Sequence, residues 1–393
     1  MAVRNAVLGG VEVIELRFDF RFLGGSIGRS AARLVVSALE RAAAAEIPLV
    51  SYARSGGCRM QEGFAALGQL TAISAACARL RSAGVPHVSV VENPTTGGVW
   101  ASLCSSADVI LAVDGADIAF GGHRVREATL DRAFTAAGKY ESGQVDQLLD
   151  EAAIETTLAT LLQLFADRAA DPEPAPLPRP LGSPERAKDG WDAVLRARAP
   201  GRPTAREYLR DYFDLRVPLS GDRAGGRDPA MLCGLGRRGR QVIAYVTQAG
   251  GPNSPAGFRT AARVIRLAGR LGFPILTLID TPGAANDRRA ELDAIGPAIG
   301  DCFAAVSECE TPITTLVIGE GGSGGALAIA SPQPWMTPDS YFAVIAPESA
   351  AAIMKCPETE VPGIARSMKV APAELLELGL ITGISRRSTP DSP

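Results

Sequence analysis

Four apolar segments of the sequence end in glycine-containing pairs whose backbone amides could bind an oxyanion. The pairs are Gly57/Cys58, Gly97/Gly98, Gly283/Ala284 and Gly324/Gly325. A glycine between a buried strand and a helix leaves N–H groups without intrahelical acceptors, and its missing side chain lets a substrate oxygen approach them. Two such turns that converge on one carbonyl oxygen would form an oxyanion hole. For any single pair, a tight turn that only serves packing is the simpler interpretation.

The spacing of these pairs is repeated along the chain, and the repetition favours a functional role. The matched positions are Pro48 with Pro274, Gly57 with Gly283, Gly24-Gly25 with Gly250-Gly251, and Gly97/Gly98 with Gly324/Gly325. The first three matches share one offset, and the fourth drifts by one residue. Four anchors in the same order predict a tandem duplication of one fold.

The segments around the pairs predict alternating strands and helices. The strand segments are short runs of β-branched residues and Leu, typical of buried parallel strands, at 47–53, 87–91, 273–279 and 314–318. The helix segments are rich in Ala, Leu, Arg and Glu, at 30–46, 62–83, 257–271 and 291–309. Such βαβ units are joined by right-handed crossovers. This α/β pattern fits either a spiral of ββα repeats or a doubly wound sheet.

A segment rich in Pro and charge, 171–189, is predicted to be a linker. It divides the chain into an N-terminal domain, 1–170, and a C-terminal domain, 190–385. Two domains suit a total length of 393 residues, which is too long for one typical hydrophobic core.

Composition argues against several classes of function. The net charge is −3, so no basic field favours nucleic acid. No apolar run reaches the roughly 18–20 residues that cross a bilayer, so no membrane partner is expected. The seven cysteines form no C-x-x-C and there are only two histidines, so we expect no metal. The scattered cysteines favour reduced thiols and a cytoplasmic protein.

Other motifs give weaker signals. Residues 280–283 match the D-x-x-G of a GTPase, but the chain lacks the G-x-x-x-x-G-K-[ST] phosphate loop. Residues 321–325 match a nucleophile elbow, but both histidines lie in the other half, so Ser323 is predicted to be a small turn residue. His87 lies inside an apolar strand and is predicted to pack in the core. His123 follows a strand and could face a pocket.

Long motifs in the two halves resemble the two subunits of bacterial acetyl-CoA carboxylase carboxyltransferase. Those similar to the β subunit are Phe22–Gly28, Ser55–Gly63 and Asn93–Val99. Those similar to the α subunit are Trp191–Tyr208, Pro255–Arg259, Ile279–Ala284 and Ile318–Ile329. Both patterns occur on one chain in β-then-α order, and the resemblance covers nearly everything except the linker and the last few residues.

The resemblance implies a fold and a mechanism. The fold would be two tandem crotonase-like ββα spiral domains of the α/β class. The Gly57/Cys58 and Gly97/Gly98 turns would stabilise the thioester enolate, and the Gly283/Ala284 and Gly324/Gly325 turns would bind the ureido oxygen of biotin. Biotin, held on a carrier protein and not attached to this chain, would deliver CO₂ and take the α-proton, so no side-chain base is needed.

The resemblance also implies substrate contacts and partners. We expect CoA to be bound by Gly24, Gly25, Ser26, Arg59 and Thr96. Arg59 could bind a CoA phosphate or simply pair with Glu62, whose place in a first helical turn favours the helix dipole. The partners would be an acyl-CoA or acyl-carrier thioester, a biotin carboxyl carrier protein and a biotin carboxylase. We expect a cytoplasmic homodimer or larger homo-oligomer in fatty acid or polyketide biosynthesis.

Departures from the family pattern leave two alternatives open. The four-cysteine zinc ribbon of the β subunit does not occur in the sequence, and the glycine-proline-arginine stretch reads Gly122-His123-Arg124. The lysine- and arginine-rich loop before the α-subunit helix is cut to residues 248–252. After Ala284, residues 285–292 are similar to malonate decarboxylase subunits. One alternative is therefore a malonyl-CoA or malonyl-carrier-protein decarboxylase, and the other is an inactive scaffold.

Overall fold

The computed structural model of the protein describes residues 1–122, 125–126 and 131–386, which form two compact units. The first unit contains Met1–Arg168 together with Val217–Arg227. The second contains Ala169–Arg216 and the chain from Asp228 onwards.

The first unit is built on a sheet of seven strands among the described residues, in the order β1-β2-β3-β4-β5-β7 with β6 paired to β4. Strands β1 and β2 are antiparallel, and the others pair in parallel. The strands are β1 Ala2–Leu8, β2 Val11–Arg17, β3 Leu49–Ser55, β4 His87–Thr96, β5 Val109–Val113, β6 Ile118–Ala119 and β7 Gln147–Leu149. The helices are α1 Arg29–Ala45, α2 Phe64–Leu67, α3 Gln69–Ser82, α4 Gly98–Ser102, α5 Ala136–Glu141 and α6 Glu151–Ala166.

The second unit repeats this arrangement. Its sheet has the order β15-β13-β12-β11-β10-β9-β8 with β14 paired to β12, an antiparallel β9–β10 hairpin, and parallel pairs from β10 to β15. The strands are β8 Leu215–Leu219, whose residues from Val217 on are counted with the first unit, β9 Met231–Arg238, β10 Gln241–Gln248, β11 Ile275–Thr281, β12 Ile313–Gly322, β13 Trp335–Met336, β14 Tyr341–Ala343 and β15 Gly383–Ile384. The helices are α7 Gly190–Ala197, α8 Ala205–Tyr212, α9 Pro255–Leu271, α10 Arg288–Leu292, α11 Ile295–Ser307, α12 Ser323–Leu327, α13 Pro347–Met354, α14 Val361–Ser367 and α15 Pro372–Glu377.

Helix α9 shows why the helices form where the sequence predicts them. Ser254 accepts a hydrogen bond from the Gly257 N–H, Pro255 occupies the first turn, and Gly272 ends the helix in a left-handed conformation. The predicted helices 30–46 and 257–271 are confirmed as α1 and α9. The predicted helix 62–83 is interrupted at Gly68, and 291–309 begins only at Ile295 as α11, after the short helix α10.

The strand registers of the two units are the same. The paired residues are Leu49 with His87 and Ser55 with Thr95 in the first unit, and Ile275 with Ile313 and Thr281 with Gly321 in the second. Each of these residues in the second unit follows its counterpart in the first by the same number of positions that separates Gly57 from Gly283. Gly97 therefore corresponds to Ser323 and Gly98 to Gly324, so the predicted drift of one residue is wrong.

The Pro-rich segment 171–189 forms neither helix nor strand, and it packs along the second unit. Ala175 is buried in the core of that unit, and its carbonyl accepts a hydrogen bond from Thr314 Oγ1 at 2.8 Å. Tyr212 Oη donates to the Pro176 carbonyl at 2.7 Å. These contacts hold the segment against the second unit, at whose N-terminal end it lies.

Candidate active site

The turns after β3 and β4 lie against each other in the first unit. Gly57 has a φ of +98°, in the region that favours glycine. A Cβ atom on Gly57 would lie 3.3 Å from the Gly97 Cα, and one on Gly98 would lie 3.0 Å from the Cys58 Sγ. The structure therefore brings together all four residues predicted for the first hole.

Hydrogen bonding decides which amides of the first unit can bind a ligand. The Gly57 N–H donates to Ser55 Oγ at 3.0 Å, and the Gly97 N–H donates to the Ala119 carbonyl at 3.0 Å. The N–H groups of Cys58 and Gly98 have no acceptor among the described residues. Cys58 and Gly98 are thus the two residues whose amides are free to bind an oxygen.

The turns after β11 and β12 repeat this contact in the second unit. Gly283 has a φ of +131°, and its N–H donates to Thr281 Oγ1 at 3.1 Å. A Cβ atom on Gly325 would lie 2.3 Å from the Ala284 nitrogen, so close packing of the turns requires glycine there. The N–H groups of Ala284, Gly324 and Gly325 have no acceptor in the described part of the chain, and Gly324 is the one that corresponds to Gly98. Gly324 is exposed, and a Cβ atom built on it meets nothing within 4 Å.

Two hydroxyl side chains hold these turns in place, and sequence analysis missed both. Ser55 Oγ accepts from the Gly57 N–H and donates to the Gly25 carbonyl at 2.8 Å. Thr281 Oγ1 accepts from the Gly283 N–H and donates to the Gly251 carbonyl, also at 2.8 Å. The two hydroxyls occupy matched positions, and their shared offset is the signal that would have revealed them.

Asp280 links the two strands that lead to the second pair of turns. Its buried Oδ1 accepts from the Glu320 N–H on β12 at 3.2 Å and from Arg202 at 2.5 Å. Burial raises the pKa of the Asp280 carboxyl, and the neighbouring Arg202 guanidinium opposes that rise. This carboxylate fixes the end of β11 relative to β12, next to the Gly283 turn.

Three of the residues predicted to bind CoA, Gly25, Ser26 and Arg59, line a cavity of about 460 Å³ in the first unit, whereas Gly24 and Thr96 are not part of its lining. The cavity is lined by Met1, Phe18, Asp19, Phe22, Gly25, Ser26, Ser30, Ala31, Leu34 and Arg59. Gly24 and Gly25 both have positive φ angles, and a Cβ atom on Gly25 would lie 2.2 Å from the Arg54 carbonyl oxygen. Thr96 is buried, and its hydroxyl donates to the Ser55 carbonyl at 3.4 Å.

Arg59 is held in the wall of this cavity. Its guanidinium donates to Glu62 Oε1 and to the Ser26 carbonyl, each at 3.0 Å. The Arg29 N–H donates to Glu62 Oε2 at 2.7 Å, and that hydrogen bond, with the Arg59 pair, lowers the pKa of Glu62. The pairing of Arg59 with Glu62 is therefore confirmed, while phosphate binding by Arg59 stays a prediction.

The remaining side chains singled out from the sequence take different places. His87 is buried with its Nε2 2.8 Å from Ser51 Oγ, so its predicted core role is confirmed, and burial lowers its pKa to about 3. Burial raises the pKa of the Cys58 thiol, which keeps it protonated at neutral pH. Ser323 is exposed at the start of α12. His123 lies outside the described residues.

Known proteins with similar sequences identify the family. The family model described as "Acetyl co-enzyme A carboxylase carboxyltransferase-like" matches residues 186–389. A Salinispora tropica protein named acetyl-coenzyme A carboxylase carboxyl transferase subunits beta/alpha is 39% identical over 98% of this chain and 73% of its own length. The chain belongs to the acetyl-CoA carboxylase carboxyltransferase family. Its resemblance to the β and α subunits in tandem is therefore confirmed.

Other relatives of this carboxyltransferase agree. A Clostridium tetani protein with the same beta/alpha name is 32% identical, over 95% of this chain and 68% of its own length. A Mycobacterium bovis protein named "Probable biotin-dependent acyl-coenzyme A carboxylase beta3 subunit" is 33% identical, over 95% of this chain and 77% of its own length.

Solved structures confirm the fold of the carboxyltransferase. A transcarboxylase 12S structure with methylmalonyl-coenzyme A and methylmalonic acid bound superposes with a TM-score of 0.83, at 19% identity, over 98% of this chain and 78% of that one. A single-chain, multi-domain long-chain acyl-CoA carboxylase has a TM-score of 0.76, at 19% identity, over 96% of this chain and 38% of that one. The two tandem α/β domains of crotonase-like fold are those that the sequence predicts.

No group of three or more His, Cys, Asp or Glu side chains in the described ranges could hold a metal ion. Within the same ranges, no helix is long and apolar enough to span a membrane.

Proposed function

We propose that this carboxyltransferase moves a carboxyl group between biotin on a carrier protein and an acyl-CoA. The reaction would be of the type that converts acetyl-CoA to malonyl-CoA. The observation that carries the proposal is the duplicated pair of free amides. Cys58 and Gly98 supply one pair, and Ala284 and Gly324 supply the other. A reaction with two carbonyl oxygens to stabilise, one on the thioester and one on the urea ring of biotin, needs two such pairs.

The first pair of amides suits the thioester. Donors fixed by the turns stabilise the charge that develops on the thioester oxygen as the enolate forms, and losing one such donor typically costs roughly 10²–10³ in rate. Burial raises the pKa of the Cys58 thiol, so the side chain places no negative charge beside the thioester oxygen, and the backbone N–H without an acceptor is the donor that we assign to Cys58. The adjacent cavity of about 460 Å³, with Arg59 in its wall, offers room for part of a CoA moiety.

The second pair of amides fits a ureido oxygen. The Ala284 and Gly324 N–H groups lack acceptors among the described residues, and the open space beside Gly324 leaves room for a planar ring to approach. Biotin that carries the carboxyl group when it binds would supply both the CO₂ and, after its release, the proton acceptor of the reaction. The protein itself holds the two oxygens and keeps both turns rigid through Ser55, Thr281 and Asp280.

The family also suggests the protein partners, the oligomeric state and the location of this carboxyltransferase. A biotin carboxyl carrier protein and a biotin carboxylase would be the partners. The transcarboxylase 12S structure is described as a hexamer assembly, which supports a homodimer or larger homo-oligomer here. All seven cysteines are free, which suits the reducing cytoplasm. A role in fatty acid or polyketide biosynthesis would follow if the acceptor is acetyl-CoA, because malonyl-CoA is the product of its carboxylation.

The test is the reverse reaction with free biocytin. The protein should convert malonyl-CoA to acetyl-CoA only when biocytin is present, and carboxybiocytin should accumulate. Release of CO₂ from malonyl-CoA or a malonyl carrier protein at the same rate without biocytin would instead support the decarboxylase. Failure to act on any acyl-CoA with a biotinylated carrier would support the scaffold.

A matched pair of glycine variants tests whether the second turn takes part. Gly324 and Gly300 are both exposed helical glycines with nothing within 4 Å of an added Cβ atom. Neither Gly324→Ala nor Gly300→Ala should lower the melting temperature, since alanine favours helix. Gly324→Ala should lower kcat/KM at least about tenfold, because its methyl group stands beside a free donor amide. Equal activity of the two variants would argue against this hole.

A further inference from the structure

The two units can be compared position by position because their turns have the same register. Ile27 forms an isolated parallel bridge with Cys58, and Asn253 forms the same bridge with Ala284. Asn253 therefore corresponds to Ile27, and Ser323 corresponds to Gly97. At both positions the second unit carries a polar side chain where the first carries an apolar side chain or none.

Asn253 places a polar group beneath the second pair of turns. Both it and Ile27 are fully buried. The Asn253 backbone makes two hydrogen bonds to the turn at Gly283/Ala284. Its N–H donates to the Gly283 carbonyl at 3.1 Å, and its carbonyl accepts from the Ala285 N–H at 2.8 Å. Its Oδ1 has no partner in the described part of the chain. Its Nδ2 donates to the Ala230 carbonyl at 3.1 Å, which serves the fold, but the unpaired buried Oδ1 is destabilising and is used by none of the hydrogen bonds among the described residues.

Gln248 provides a second such amide at the same turn. It is fully buried, and its Nε2 donates to the Gly325 carbonyl at 2.8 Å. Its Oε1 also lacks a hydrogen-bond partner among the described residues. The second pair of turns is therefore surrounded by more polar groups than its own hydrogen bonds use.

Ser323 adds an exposed hydroxyl to these turns. Its φ is +58° and that of Gly97 is +63°, so a side chain stands where the left-handed backbone favours glycine. Its Oγ has no partner among the described residues, whereas Ser55 and Thr281 use their hydroxyls to hold the backbone. The side chain at 323 thus strains the backbone and contributes no hydrogen bond to the described fold.

The place of Ser323 relates this hydroxyl to the ligand. Ser323 lies between Gly322 and Gly324. A Cβ atom on Gly322 would lie 2.7 Å from the Gly283 nitrogen, and the Gly324 amide is one of the free donors of these turns. Oγ is therefore attached to the same turn that presents a donor to the carbonyl oxygen.

We propose that Ser323 Oγ hydrogen-bonds an N–H of the ureido ring of biotin and thereby distinguishes that ring from a thioester. The inference rests on the function proposed above. A thioester offers only acceptors, so two backbone amides and a glycine at position 97 suffice for it. A urea carries N–H donors beside its carbonyl, and a hydroxyl can accept from them while the Ala284 and Gly324 amides bind the oxygen.

The test measures binding as well as turnover. Ser323→Gly removes the hydroxyl and the strained Cβ atom, so the protein should be at least as stable, while the Kd for biocytin, followed by ligand-observed NMR, should rise about three- to tenfold. The Kd for malonyl-CoA should not change. Ser323→Ala, which keeps the strain, should weaken biocytin binding equally.

Lys355→Gly is the matched control, because Lys355 is exposed and also has a φ of +58°. It should stabilise the fold in the same way and leave the biocytin Kd unchanged. If Ser323→Gly binds biocytin like the wild type while carboxyl exchange continues, the role of Ser323 is overturned and the proposed function stands. If the wild type neither binds biocytin nor exchanges carboxyl groups with it, both are overturned.

Discussion

At the scale of single residues, the candidate site depends on backbone amides, and its side chains serve mainly to position them. Cys58 contributes an N–H while its thiol stays neutral, because burial raises the thiol pKa. Ala284 has no ionisable side chain at all. His87, the one histidine among the described residues, is buried in the core of the first unit and does not reach the turns. A reaction whose base is brought by the cofactor suits such a site.

His87 makes the stability of the protein depend on pH. Burial lowers its pKa to about 3, from an ordinary value of 6.5 that the unfolded chain should show. Between these two pKa values the unfolded state binds a proton that the folded state does not. The free energy of unfolding should therefore fall by about 1.4 kcal/mol for each pH unit of acidification below about pH 6.5.

The measurement is denaturant unfolding of the wild type and of His87→Gln across that pH range. Glutamine can still bond Ser51 Oγ, which lies 2.8 Å from the histidine ring, but it does not titrate. The difference in stability between the two proteins should shift in favour of the variant as the pH falls. A difference that stays constant with pH would show that His87 is not the group responsible.

The sequence predicts which turns matter but not which amides are free. Glycine after an apolar run is visible in the sequence, so all four pairs could be named. Whether Gly57 or Cys58 offers its N–H depends on the Ser55 hydroxyl, and for Gly97 it depends on the Ala119 carbonyl. Such acceptors arise from three-dimensional packing, which spacing along the chain does not reveal.

At the scale of elements, each unit joins two glycine turns through one hydroxyl at a strand end. Ser55 at the end of β3 connects the Gly57 N–H with the Gly25 carbonyl. Thr281 at the end of β11 connects the Gly283 N–H with the Gly251 carbonyl. Each hydroxyl bridges two loops that sequence analysis treated separately, and thereby sets the geometry of a hole.

Removal of either hydroxyl should loosen its own turn. Ser55→Ala or Thr281→Val leaves a buried N–H without an acceptor, which should lower the free energy of unfolding by about 1–3 kcal/mol. Activity should fall as well, because the neighbouring free amide loses its fixed position. Thermal unfolding and kcat/KM measured on the same preparations check both effects.

Exchange of the two hydroxyl residues provides the control. Ser55→Thr and Thr281→Ser each keep an oxygen at the strand end, so both should retain most of the stability and activity. Loss of activity in Thr281→Ser equal to that in Thr281→Val would contradict the role assigned to the hydroxyl. It would point instead to packing of the threonine methyl group.

The long periodic elements were predictable for a plain physical reason. Helices α1 and α9 have wide apolar faces and run 17 residues each, so their signal survives in the sequence alone. The break between α2 and α3 at Gly68 has a weaker signal, since one glycine is tolerated within a helix. The correspondence of Ser323 with Gly97 required the ladder register, because adjacent glycines allow either alignment.

At the scale of the whole molecule, the first unit is assembled from two separate stretches of chain. The predicted domain range 190–385 includes Val217–Arg227, which the contacts place with Met1–Arg168. The returning segment brings Arg223 to the buried carboxylate of Asp146, and Arg223 also donates to the Gln144 carbonyl at 2.7 Å. Nothing in local composition predicts this return, because an ion pair between residues far apart in sequence leaves no periodic pattern.

The Arg223–Asp146 pair should therefore be a major determinant of the stability of the first unit. The Asp146 side chain is fully buried and also accepts from the Ile110 N–H at 2.8 Å. Arg223→Met would leave the buried charge of Asp146 without this partner. Removal of one member of a buried ion pair typically costs about 3–5 kcal/mol of stability. Calorimetry of the full chain should show a lower melting temperature, and adding Asp146→Asn to Arg223→Met should recover part of the loss.

Arg227→Met is the matched control, because Arg227 lies in the same segment but is exposed, with its guanidinium 3.9 Å from the Tyr140 ring centroid. Its exposed cation–π contact contributes only about 0.5–1 kcal/mol, and its exposed hydrogen bonds to Ser220 Oγ and Tyr140 Oη add about as much each at most, so this variant should lose less stability than Arg223→Met. Equal effects of Arg223→Met and Arg227→Met would mean that the segment acts through its packing as a whole. A clear difference between them would show that one buried charge pair secures the return of the chain to the first unit.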